Sequence, residues 1–76
     1  MTTPPPRFYR GDLPPRTDDL DRVRRALRRG PATRQQIVDK TGLTQTRILC
    51  AIDALIAAGE VAYDAPSRQF VAQAAA

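Results

Sequence analysis

Gly42 stands between two stretches of helical periodicity, and it restricts the fold of this chain more than any other residue. A helix that must end and reverse within two or three residues needs a left-handed backbone position, which glycine adopts without a Cβ penalty. The run Thr41-Gly42-Leu43-Thr44 supplies that corner. Gly42 turns the chain, Leu43 is placed to plug the angle, and Thr44 is an N-cap for the helix that follows. The corner leaves the first amides of that helix pointing outward, where an anion can bind.

The elements around the corner follow from local signals. The first helix begins near Thr17, with Thr17 or Asp18 as its cap. Asp18, Asp19 and Asp21 favour the positive end of its dipole. Leu20, Val23 and Leu27 form its apolar stripe, and Gly30-Pro31 stops it. The second helix opens at Thr33, where Gln36 completes a capping-box pattern, and Ile37, Val38 and Thr41 supply its inner side. The third helix places Ile48, Ile52 and Leu55 at i, i+4 and i+7, with Ala51 and Ile56 beside them, and ends at Gly59. Beyond it the period changes to two. Val61 and Tyr63 alternate around Ala62, Phe70 and Ala72 around Val71, and Asp64-Ala65-Pro66-Ser67 between them predicts a β-hairpin. The expected order is helix, helix, tight turn, helix, hairpin: a mainly α fold with a small β-hairpin over 17–72.

Residues 33 to 61 closely resemble the helix-turn-helix of bacterial winged-helix repressors of the ArsR and MarR types. The residues that carry the likeness are the Thr41-Gly42-Leu43-Thr44 turn, Ile48 four after the cap, and the exit Leu55-x-x-x-Gly59-x-Val61. The likeness extends over roughly 17 to 72. It implies a three-helix winged helix-turn-helix that binds double-stranded DNA as a transcription regulator, and a chain with neither disulfide nor metal set is expected in the reducing cytoplasm. The start of the third helix would enter a major groove about 12 Å wide, and the hairpin would reach the minor groove or the backbone.

Within that reading Gln45, Thr46 and Arg47 are the expected base-edge contacts, because arginine pairs with guanine and glutamine with adenine. Thr44, Cys50, Arg34 and, beside the hairpin loop, Arg68 complete the expected DNA-facing set. The outward face of the third helix also carries Asp53, Ala54 and Ala57. This small-residue face points to an alternative, a module that docks another protein or a second copy of the chain. Cys50 on that face is weighed as a redox-sensing thiol against a half-buried inert one.

Most of the positive charge lies on the first helix. Arg22, Arg25 and Arg29 share one stripe at i, i+3 and i+7. Two readings stand: phosphate contacts, or local pairing of Asp18 with Arg22 and Asp21 with Arg25, each worth about 0.2–0.5 kcal/mol.

Composition narrows the classes. Of 76 residues, twelve are basic and eight acidic, a net charge of +4, and eleven of the twelve bases are arginine. Arginine's planar fork suits phosphates and base edges. With no histidine and one cysteine, the chain has neither a disulfide nor a Cys/His metal set. No His-based triad or glycine-rich phosphate loop is present, so neither an enzyme nor a cofactor is expected. No run approaches the about 18 apolar residues of a membrane span, and the start lacks the apolar core of a signal peptide. Five of the seven prolines fall in residues 1–16, read as an extended or disordered arm, with Phe8 and Tyr9 expected to pack back onto the domain. The tripeptide Arg10-Gly11-Asp12 and the segment Leu13-Pro14-Pro15-Arg16 are read as linker, and 73–76 as a frayed tail.

Overall fold

A computed structural model of the chain describes Phe8, Tyr9 and residues 14–73. The arm and tail readings for 1–7, 10–13 and 74–76, including Arg10-Gly11-Asp12, lie outside the described residues. The elements run α1 (Thr17–Arg28), β1 (Ala32–Thr33), α2 (Arg34–Thr41), α3 (Gln45–Ala57), β2 (Val61–Asp64) and β3 (Gln69–Ala72). Three helices thus pack with a small antiparallel sheet of order β1-β3-β2.

The corner forms as its residues require. Gly42 sits at φ 72°, and its N–H donates to the Val38 carbonyl at 2.8 Å. Thr44 Oγ1 accepts the Arg47 N–H at 3.3 Å and caps α3. Leu43 is buried in the angle. The α2 capping box is complete in both directions. Thr33 Oγ1 accepts from Gln36 N at 3.2 Å, and Gln36 Oε1 accepts from Thr33 N at 2.9 Å.

One core joins the elements. Val23 and Leu27 of α1 meet Ile37 of α2, Ile48, Ile52 and Leu55 of α3, and Val61 and Phe70 of the sheet. The periodic positions of α3 are the buried ones because their spacing keeps them on one helical face.

Two features differ from the sequence reading. The start of α1 is not capped by Thr17 or Asp18. Its N-cap is Arg16, which makes no side-chain cap bond, while the Arg16 carbonyl accepts from Leu20 N at 3.0 Å. The helix begins at Thr17, and Asp19 in its first turn faces into the protein. The sheet also has a third strand. Ala32 and Thr33 pair with Phe70 and Gln69 of β3. A two-residue strand shows no alternation, and only the partner β3 makes it one.

Candidate nucleic-acid interface

Three successive residues at the start of α3 face solvent. Thr44, Gln45 and Thr46 are exposed, held outward by the Gly42 corner beneath them. Leu49 follows one turn later and is half-buried. It faces a groove of about 340 Å³ whose walls include Arg34 and Gln35 of α2, Tyr63 of β2 and Arg68 of the hairpin loop. Arg34 and Arg68, 34 positions apart in the chain, thereby flank one cleft next to α3. Arg68 holds φ 57°, the one left-handed position outside glycine among the described residues. Its N–H donates to the Ala65 carbonyl at 3.2 Å. Asp64 fixes the same loop by accepting from the Ser67 N–H at 3.3 Å and from the Ser67 hydroxyl.

Arg47 is differently engaged from the sequence reading. Its Nε donates to Asp19 Oδ2 at 2.9 Å and its Nη2 to Asp19 Oδ1 at 2.6 Å. The bidentate edge expected at a guanine is thus turned onto α1. The Asp19 side chain is only 3% exposed, whereas that of Arg47 is 42% exposed. The hydrogen bonds from Arg47 hold the Asp19 carboxyl below its usual range against the opposing effect of burial. Charge-assisted bidentate pairing of this kind is the strong form of a hydrogen bond. The sequence does carry a signal for it. Asp19 lies four residues before Val23 on the stripe that continues through Ala26 and Leu27, so a carboxylate occupies a core-facing position and needs a cation.

The rest of the α3 outward face is partly covered by the N-terminal segment. Asp53 accepts the Phe8 N–H on Oδ1 at 2.8 Å and the Tyr9 N–H on Oδ2 at 2.7 Å. The Phe8 ring packs edge-on against Tyr63 and Phe70, with centroids at 5.0 and 5.2 Å. Packing of these residues onto the domain agrees with the sequence reading, and Asp53 now has a structural task. Pro14, Pro15 and Arg16 border Thr46 and Cys50 further along. Burial pushes the Cys50 thiol up, and the charges of Asp53 and Asp19 add to the effect. Such a thiol is a poor nucleophile, which disfavours the redox-sensor reading.

The expected pairs on α1 do not form. Asp21 instead binds Arg24 at 2.9 Å, three residues on. The fork of Arg24 also clasps Glu60, Nε to Oε1 and Nη2 to Oε2, both at 3.0 Å. Glu60 follows the end of α3 and draws Arg24 between two carboxylates. Arg22, Arg25 and Arg29 are exposed and have no ion pair among the described residues.

No helix among the described residues is long and apolar enough to cross a membrane. No family model matches the chain, and neither a curated protein nor a solved structure matches it.

Proposed function

We propose that the domain is a winged helix-turn-helix that binds double-stranded DNA in the bacterial cytoplasm, as a small transcription regulator and without catalysing a reaction. The observation that carries this reading is the exposed run Thr44, Gln45 and Thr46 at the start of α3, with Arg34 and Arg68 flanking the cleft next to Leu49. Thr44, Gln45 and Thr46 supply base-edge and phosphate contacts, and the two arginines grip the backbone on either side. Arg47 orients the turn through Asp19 rather than reading a base with its outer edge. Arg68 keeps a backbone conformation that disfavours any side chain, a cost of about 1 kcal/mol that a glycine would not carry. A cationic side chain aimed at a partner gives that cost a purpose.

The test is a titration of a labelled mixed-sequence duplex at stepped salt concentrations. The wild-type chain binds with an affinity that falls as salt rises. Arg34→Gln with Arg68→Gln weakens binding and flattens the salt dependence by about 0.9 in log–log slope for each phosphate no longer neutralised. Absence of duplex binding at low salt refutes the reading.

One observation favours a second reading, a protein-docking module. Phe8 and Tyr9 bind Asp53 through their main-chain N–H groups, so extended polypeptide already seats on the α3 face. In that case a protein or a second copy of the chain seats on the α3 face, and duplex titrations show no salt-dependent binding.

A further inference from the structure

Arg22 and Arg25 of α1 and Arg29 at its C-cap converge with Lys40 of α2 on a second groove, of about 610 Å³, lined also by Ala26 and Thr41. No carboxylate lines it among the described residues. None of the four cations makes an ion pair among the described residues, where Arg24 and Arg47 are the bases that do. We infer that this groove is a separate binding site for the phosphodiester backbone of nucleic acid, distinct from the α3 cleft.

Three observations support it. First, like charges three and four residues apart on a helix repel, and no ion pair among the described residues offsets that repulsion. A polyanion removes it. Second, the spacing fits a strand. Arg22 to Arg29 covers about 10 Å of helix axis, the length over which one strand of a duplex presents roughly three phosphates. Third, three of the four cations are arginines, whose forks match phosphate oxygens in pairs. The two grooves share no residue. Arg34 and Gln35 at the start of α2 line one, and Lys40 and Thr41 at its end line the other.

The inference rests on the reading that the domain binds duplex DNA, and the test separates the two. The full chain is titrated with the labelled duplex, as wild type, as Arg34→Gln/Arg68→Gln, and as Arg25→Gln/Arg29→Gln/Lys40→Gln. Arg22 is kept because its charge also acts on Asp19. The triple variant lowers the log–log salt slope by about 2.7, roughly 0.9 for each of its three substituted cations. If circular dichroism shows that the triple variant does not fold, Lys40→Gln alone lowers the slope by about 0.9. An unchanged slope in a folded groove variant, with weakened binding by Arg34→Gln/Arg68→Gln, overturns the groove and leaves the DNA reading intact. The converse pattern upholds the groove and overturns the α3 cleft. No duplex binding by wild type overturns both. Polyglutamate or inorganic phosphate, at matched charge and constant total ionic strength, does not displace the duplex. Displacement by polyglutamate reassigns the groove to an acidic peptide, and displacement by inorganic phosphate reassigns it to the free ion; either overturns the backbone proposal.

Discussion

Arg47 closes on Asp19 from the first turn of α3, with two hydrogen bonds of 2.6 and 2.9 Å to a carboxylate that is 3% exposed. The contact spans 28 positions of sequence and clamps α3 to the start of α1. Its two ends are unequal. Removing Asp19 releases Arg47 to water, while removing Arg47 strands a buried charge. Arg47→Met is therefore expected to destabilise the fold more than Asp19→Asn at neutral pH, measured by urea unfolding. Equal losses would mean that the carboxylate is hydrated.

The same pair sets an acid limit. Arg47 holds the Asp19 carboxyl below its ordinary value of 3.8 in the folded protein. The folded state thus favours the ionised form. That stability is fully present above about pH 4 and is lost as pH falls through the lowered folded value. Asp19→Asn should show a shallower loss of stability below about pH 4 than wild type. Glu60, lowered by Arg24 in the same direction, continues to contribute in both proteins.

Phe8 connects the N-terminal segment to the sheet through two edge-on aromatic contacts. Each is worth about 0.5–1.5 kcal/mol beyond burial, so Phe8→Ala is expected to cost about 1–3 kcal/mol on top of the burial it loses. Its main-chain N–H and that of Tyr9 both end on Asp53. Deletion of residues 1–9 and Asp53→Ala should therefore be non-additive by more than about 0.5 kcal/mol in a double-mutant cycle. Strict additivity would show that the segment does not sit on α3 in solution.

Gly42 isolates a backbone effect. A Cβ there meets nothing within 4 Å, yet φ is 72°. Gly42→Ala should cost about 1–2 kcal/mol through conformation alone. Gly42→Asn should recover part of that loss, because asparagine tolerates the left-handed region. A loss well above this range, read from chemical denaturation, would point to a steric clash instead.

Arg68 permits stability and binding to be separated. Its φ of 57° favours glycine. Relief of about 1 kcal/mol of strain in Arg68→Gly is set against a similar entropic gain of the unfolded chain. The melting temperature should hardly move, while affinity for a duplex falls. A large fall in melting temperature would mean that the side chain serves the fold.

What could be read directly from the residues is local. The capping box at Thr33, the left-handed Gly42, the Thr44 cap and the core stripe of α3 each depend on neighbours within about one or two turns, and all are present. The hairpin over Val61–Ala72 follows from alternation and turn formers in the same way. The contacts that reorganise the candidate interface are not local. Asp19 with Arg47, Arg24 with Glu60, and Asp53 with the Phe8 and Tyr9 amides are separated by 28, 36, 45 and 44 positions. The local pairing rule, which joins Asp21 to Arg25, could therefore not place Arg24 on Glu60. Chain entropy gives no preference among distant partners until helices pack and bring particular side chains within hydrogen-bond reach. Sequence alone determined the corner, the helices and the hairpin because their hydrogen bonds close over a few residues. Tertiary structure alone decided which arginines are held in ion pairs within the protein and which are not, because that choice depends on which carboxylates the packed helices carry within reach.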